Sequence, residues 1–438
     1  TLWHSPDSGS SHAAADSFPR PLPLTSSPAR PAPGEPEVPW SPLSVRLAAF
    51  LLAGALIARI ASAIALGSAF RFADEALYVD SARHLASGAG FGAGYAGVPA
   101  YPVFLTLLSL GLPVSIGFLR VAQAAVAGIG SLLVYTLAER TFGRRAAVAA
   151  GLAYAFDPLL VITSALLYPE TVAAVLLTAI ILLALQASER DLLTRSMAVG
   201  GLLGILAQLR PVALILPVAV GAWMAVTLGS RPARRLAHLA TLALAFSLVL
   251  SPWITRNYRI HREFVPVTTQ GARIAPVDSH EVDRKGLLAA LADWAWTKPG
   301  DLLTRVGRQF LQFWELTPTR LTSDDPERRN ELHQKDPRLP VSPLFDRGLR
   351  DLVSAVSFAV ELILALAGIA VAFKRNRRAS SLILAVILAW ALGYALFVAK
   401  LRYRIPILPL LFLFSGAGAA AVYSLLRPTG RSHRLLGS

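Results

Sequence analysis

Two acids stand side by side in "RFADEALYVDSARHL", residues 71–85, where Asp74 and Glu75 follow directly on an apolar run long enough to cross a bilayer. A carboxylate at a membrane surface can take a proton from an approaching hydroxyl. Tyr78, one helical turn after Asp74, shares its face if the stretch is helical and sets a phenol beside it. Further along, Glu170 in "YPET", Arg210 in "QLRPV" and the pair Arg402 and Arg404 in "RYRIP" each sit where an apolar run begins or ends. Arginine's planar fork grips two oxygens of a phosphate. A carboxylate on one side and fixed cations on the other suit a displacement in which a hydroxyl attacks and a phosphate leaves. Plainer roles stay open at each position. Acids favour the positive end of a helix, and arginines at span ends anchor or snorkel to headgroups.

The elements that must position these side chains are set by composition. The chain is 54% hydrophobic and 16% charged, with repeated apolar runs near the roughly 20 residues a helix needs to span a bilayer, so an all-α integral membrane protein is expected. The formal charge of +15 lies largely in short Arg clusters between runs, which is an orientation signal and argues against a nucleic-acid partner. There is no cysteine, hence no disulfide, thiol nucleophile or Cys-ligated metal. About ten spans are expected, near 46–69, 114–138, 145–167, 171–187, 196–209, 211–228, 236–253, 352–373, 381–400 and 405–426. Proline stops a helix, so "QLRPV" makes a tight turn between the fifth and sixth. With both termini cytoplasmic, "AERTFGRR", "SERDLLTR", "SRPARR", "FKRNRR" and "RPTGRSHR" all fall on the cytoplasmic side. The expected organisation is a disordered cytoplasmic tail at 1–43, a membrane catalytic region at 44–253 with its first outer loop at 70–113, an outer subdomain at 254–351, a second membrane region at 352–426 and a cytoplasmic tail at 427–438. A multi-pass protein of the inner (plasma) membrane follows, with its site on the outer face.

The outer segments carry their own signals. "SGAGFGAGYAG" after the acids lacks a preceding strand, which disfavours a dinucleotide fingerprint and favours a flap that closes over substrate. Residues 98–113 are apolar but too short to span, and read as a short helix at the outer surface. "DLLTRVGRQFLQFWEL" is amphipathic, with Leu302, Leu303, Val306, Phe310, Phe313 and Trp314 on one face, Arg305, Arg308, Gln309 and Gln312 on the other, and Asp301 as N-cap. "DSHEVD" at 278–283 lacks metal-site spacing and reads as a solvated loop. No cofactor is assigned, and a divalent metal is neither required nor excluded. Arg59 and Glu361 fall at matching depths in the first and eighth spans and are expected to pair, with Asp157 a competing partner.

In order and spacing, "DEALYVDSARHLASGAGFG", "PAYPVFLTLL", "YPETVAAVLL", "LRPVALILP", "PWITRNYRIHREFVPVTTQGARI" and "RYRIPILPLL" resemble the GT-C glycosyltransferases that use lipid-linked sugars. Their relatives include protein O-mannosyltransferases, lipid A aminoarabinose transferases and bacterial lipopolysaccharide-core glycosyltransferases. The resemblance implies a GT-C type multi-span bundle with outer-face juxtamembrane helices and a small outer-loop subdomain. It also implies inverting transfer of a hexosyl or pentosyl group, in one displacement, from a polyprenyl-phosphate donor to a hydroxyl on a glycan, lipid or protein acceptor. By the same resemblance Asp74 is the base, Glu75 orients it or the acceptor, Glu170 lines the sugar site, and Arg210, Arg402 and Arg404 hold the lipid phosphate. The alternative is a transporter or flippase of the same lipid-linked sugar, binding it without breaking a bond; the absence of an internal repeat weighs against that.

Overall fold

The computed structural model describes residues 42–426 except 93, 94, 96, 110, 230, 269–276, 278, 279, 281, 283, 284, 318–325 and 342–346. Residues 1–41 of the tail expected at 1–43, the tail expected at 427–438 with "RPTGRSHR", and most of "DSHEVD" lie outside the described residues, while residues 42 and 43 already belong to the first helix. Among the described residues there is no strand. The helices are α1 Pro42–Leu66, α2 Ala73–Ala86, α3 Ala100–Leu108, α4 Ile116–Phe142, α5 Arg144–Phe156, α6 Pro158–Ala165, α7 Pro169–Arg190, α8 Leu193–Leu209, α9 Leu216–Thr227, α10 Pro232–His261, α11 Leu287–Thr297, α12 Pro299–Phe313, α13 Pro326–Lys335, α14 Arg347–Arg375, α15 Arg377–Leu396 and α16 Leu408–Leu426. Two 3-10 segments, Pro211–Ile215 and Leu401–Ile407, lead into α9 and α16.

All ten expected runs are helical, but ten spans are not confirmed. Among the described residues, seven helices are long and apolar enough to cross a membrane, and an eighth crossing counts only if α5 and α6, bent by 48°, are taken together. The difference from ten lies at α8 and at the 211–227 stretch, which are shorter apolar helices of 10–17 residues. At 1.5 Å per residue such a helix covers at most about 26 Å, short of the roughly 30 Å hydrocarbon core. Between them Arg210 is extended (φ −143, ψ 107) and Pro211 opens the 3-10 turn, as expected of a residue held out of the helical region by the proline after it.

The α5–α6 break corrects one expected pair. Pro158 has no N–H, so the Tyr154 carbonyl loses the donor an unbroken helix would give it. Asp157 caps α6 by accepting from Leu160 N at 2.7 Å. Arg59 of α1 fills the gap, donating to Tyr154 O at 2.6 Å and to Ala155 O at 2.8 Å, with its guanidinium 4.7 Å above the Tyr154 ring. It therefore does not pair with Glu361. Glu361 lies instead in the field of Arg404, while Asp157, the competing partner, lies in the fields of both Arg404 and Arg59. Elsewhere small residues let backbones meet: a methyl added at Gly368 in α14 would collide with the Phe414 carbonyl of α16.

The two ends of the bundle differ in chemistry. At one end the Arg-bearing turns knit together: Arg375 lies against Gly143, Arg378 donates to Ser188 O at 3.0 Å and Thr227 O at 2.7 Å, and Arg234 pairs with Asp191 at 3.4 Å. The other end holds α2, α3 and the breaks at 157, 210 and 401–407. The 336–339 stretch docks there too, Arg338 gripping both carboxylate oxygens of Asp80 at 3.1 and 2.8 Å.

Candidate active site

At that second end the opening acids part company. Neighbours on a helix point about 100° apart, so Asp74 and Glu75 cannot share a task by adjacency alone. Glu75 is fully buried. Its carboxylate accepts from Arg71 N at 2.6 Å and Phe72 N at 3.3 Å, closing the first turn of α2. It also accepts from Leu167 N at 2.8 Å, and the Arg120 fork grips both its oxygens at 2.8 and 3.1 Å. Arg120, equally buried, donates further to Ala165 O at 2.6 Å and Ala69 O at 2.9 Å. One turn on, Gln123 donates to Ser164 O at 3.0 Å and Leu166 O at 2.6 Å, and accepts from the Tyr101 hydroxyl at 2.6 Å. Together these side chains hold the 164–167 connection that delivers Tyr168 and Glu170 at the start of α7.

Asp74 stays 43% exposed and meets Arg402 Nη1 at 2.9 Å across 328 residues of chain. Arg402 Nε lies 3.6 Å from Glu170, whose carboxylate is 1% exposed, and Glu170 also pairs with Arg210. Charge thus alternates along Asp74, Arg402, Glu170 and Arg210, four residues from four elements. Both guanidiniums share the Tyr403 ring, Arg210 at 5.3 Å and Arg402 at 5.5 Å, and Tyr403 stacks on Tyr394 at 4.4 Å. Arg402 also lies 4.9 Å over Tyr168. Like charges so close need an anion between them, and Glu170 supplies it.

Tyr78 stands at the edge of this cluster, its ring 4.9 Å from Tyr101 and 6.4 Å from Tyr168. Burial raises its phenol above the ordinary value, and the nearby Arg210 only partly opposes that. Arg404 is not brought to the cluster. A 3-10 turn advances 120° per residue, so Arg404 points about 240° away from Arg402. It is buried inward, donating to Glu315 O at 2.6 Å with its guanidinium 3.6 Å over the Phe358 ring.

The outer segments also settle into definite contacts. The glycine-rich loop is tethered: Arg256 of α10 donates to Gly92 O at 2.5 Å and stacks 4.4 Å over Trp253, whose ring meets Phe91 at 5.1 Å. Helix α12 begins at Pro299, so Asp301 lies in its first turn and is not the N-cap. The expected faces of α12 hold in part, with Phe313 buried and Phe310 and Trp314 packed against the core, but three positions depart from them. Gln309 is buried and accepts from Ala399 N at 2.7 Å, Arg305 donates to Phe397 O at 2.9 Å, and Leu303 is 72% exposed. The irregular exit from α15 has backbone groups to satisfy, and Gln309 and Arg305 satisfy two of them.

Sequence reasoning missed Arg120, Gln123, Tyr168 and Tyr403. Arg120 had a signal: an arginine inside an apolar helix must find an anion, and Glu75 was the unassigned carboxylate.

The profile of a family described as dolichyl-phosphate-mannose-protein mannosyltransferase matches residues 99–255, a little over a third of the chain. No curated protein sequence matches. Among solved structures, the apo oligosaccharyltransferase of Archaeoglobus fulgidus superposes with a TM-score of 0.57 at 14% identity, covering 88% of this chain and 51% of its own. ArnT from Cupriavidus metallidurans bound to undecaprenyl phosphate gives 0.54 at 15% identity, covering 86% and 59%. The fold is of the GT-C type. The chain spans about half the length of these structures.

One further structure of the archaeal enzyme is a complex with Zn and sulfate. Among the described residues of the present chain, no three His, Asp or Glu gather as a metal-ligand group, and Asp74 and Glu170 both face Arg402.

Proposed function

We propose that the protein is a membrane glycosyltransferase that moves one sugar from a polyprenyl-phosphate donor to a hydroxyl acceptor with inversion, at the outer face. The observation that carries this reading is the Asp74–Arg402–Glu170–Arg210 chain, which sets one solvent-reachable carboxylate beside two fixed cations. The GT-C fold and the lipid phosphates named in the neighbours' complexes support it: dolichol-phosphate with the archaeal enzyme, undecaprenyl phosphate with ArnT.

As the sugar leaves its phosphate, positive charge builds on the anomeric carbon and negative charge on the departing oxygens. Arg402 and Arg210 stabilise those oxygens, and Asp74 takes the acceptor's proton. Glu170 keeps the two guanidiniums together, and Tyr403 supports both with its face. Before the donor arrives Arg402 neutralises Asp74. A phosphate entering the arginines competes for Arg402 and frees the carboxylate for the acceptor, so donor binding arms the base. Glu75 and Arg120 act as positioning residues.

Incubating detergent-purified protein with radiolabelled polyprenyl-phosphate sugars and cell-envelope acceptors tests the reading. Labelled product without a sealed membrane is expected. Binding of the lipid-linked sugar with no product from any acceptor fraction, alongside movement of the sugar across sealed vesicles, overturns it.

A further inference from the structure

Tyr168 caps α7 in an extended conformation (φ −129, ψ 147), its N–H bonded to Leu166 O at 2.8 Å. The side chain is 6% exposed, packed under the Arg402 guanidinium and beside Phe72 at 6.0 Å. Its hydroxyl has no hydrogen-bond partner among the described residues. Buried phenols ordinarily find one. The local candidates are already engaged: Ala165 O by Arg120, Leu166 O by Gln123 and Leu167 N by Glu75. The backbone that presents Tyr168 is therefore saturated, and its hydroxyl is left over at the side of the charge cluster.

We infer, resting on the function proposed above, that the Tyr168 hydroxyl is a neutral hydrogen-bond donor to the phosphate oxygens of the lipid-linked donor, beside Arg402 and Arg210. An oxygen-rich anion suits a group that can only add a proton's partial charge where two full cations already converge. Burial, and after it the negative charge of Asp74, hold the phenol well above its ordinary value. It keeps its proton through the working range and donates without transferring it. No bond is made or broken at Tyr168.

Removing this oxygen has an unusual signature. A buried hydroxyl without a partner contributes nothing to folding, so Tyr168→Phe should unfold at the same temperature as wild type or higher. Binding of farnesyl phosphate, measured calorimetrically on the full chain in detergent, should weaken about tenfold or more, the size of one hydrogen bond to a charged group. Farnesol, which lacks the phosphate, should bind both proteins equally. Equal farnesyl phosphate affinity in the two proteins overturns the inference, as does a clear drop in unfolding temperature, which would mark the hydroxyl as structural. A wild type that fails to prefer farnesyl phosphate over farnesol removes the phosphate site itself, and the proposed function with it.

Discussion

Asp74 and Glu75 are consecutive carboxylates with opposite fates, and single-atom changes separate them. Asp74→Asn keeps the shape of the side chain and removes the base, so transfer should fall by about two to four orders of magnitude while the unfolding temperature stays near wild type. Transfer at wild-type rate would return Asp74 to an ordinary acid of a first helical turn. Glu75→Gln should act on the fold instead. It leaves Arg120 buried and short of its anion, a loss of about 3–5 kcal/mol for an ion pair of this kind. Chemical denaturation of the variant, compared with an Arg120→Leu, Glu75→Leu double change that removes both charges, should show the single change to be the worse. The cluster residues were legible one by one from their places at span ends. Their partition was not, because it depends on Arg120, 45 residues from Glu75, and on the 3-10 turn that splits Arg402 from Arg404.

At the scale of elements, the glycine-rich loop and the broken α5–α6 helix each hang on one arginine. Arg256→Ala should release the loop: amide exchange across 88–92 should quicken and the apparent KM for the donor rise several-fold, with kcat little changed. Unaltered exchange would mean that Phe91 and Trp253 hold the loop without Arg256. Arg59 and Glu361 make no direct pair and share only Asp157 as a charged neighbour, so the stability losses from Arg59→Gln and Glu361→Gln should depart from additivity by less than those from Arg404→Gln and Glu361→Gln, which lie in each other's field directly. Helix positions were readable from apolar runs and prolines. Depth matching failed for Arg59 because the acceptors it uses are carbonyls exposed by Pro158, and a charge-to-charge search does not see them. On α12 the apolar face was legible at Phe310, Phe313 and Trp314, but Gln309 and Arg305 were misplaced for a similar reason, since they bond to backbone groups near 397–399.

For the whole molecule, the expected orientation places the charge cluster and the Arg-bearing turns on opposite sides of the membrane. Ser87 and Ala233 are exposed at the two ends, in a chain without cysteine. In intact cells, Ser87→Cys should react with an impermeant maleimide and Ala233→Cys should react only after lysis; equal labelling would reject the orientation. The ends also differ in when they are made. Glu75 meets Arg120 across 45 residues, whereas Asp74 waits for Arg402, 328 residues later. At about 5–20 residues per second the ribosome closes the first contact within roughly 2–9 s and reaches the second only after roughly 15–65 s. The scaffold that presents Tyr168 and Glu170 can therefore set early during insertion, while the carboxylate beside it meets its arginine only near the end of synthesis. A truncated product released from the ribosome before residue 402 would carry a folded acidic helix and no competent site.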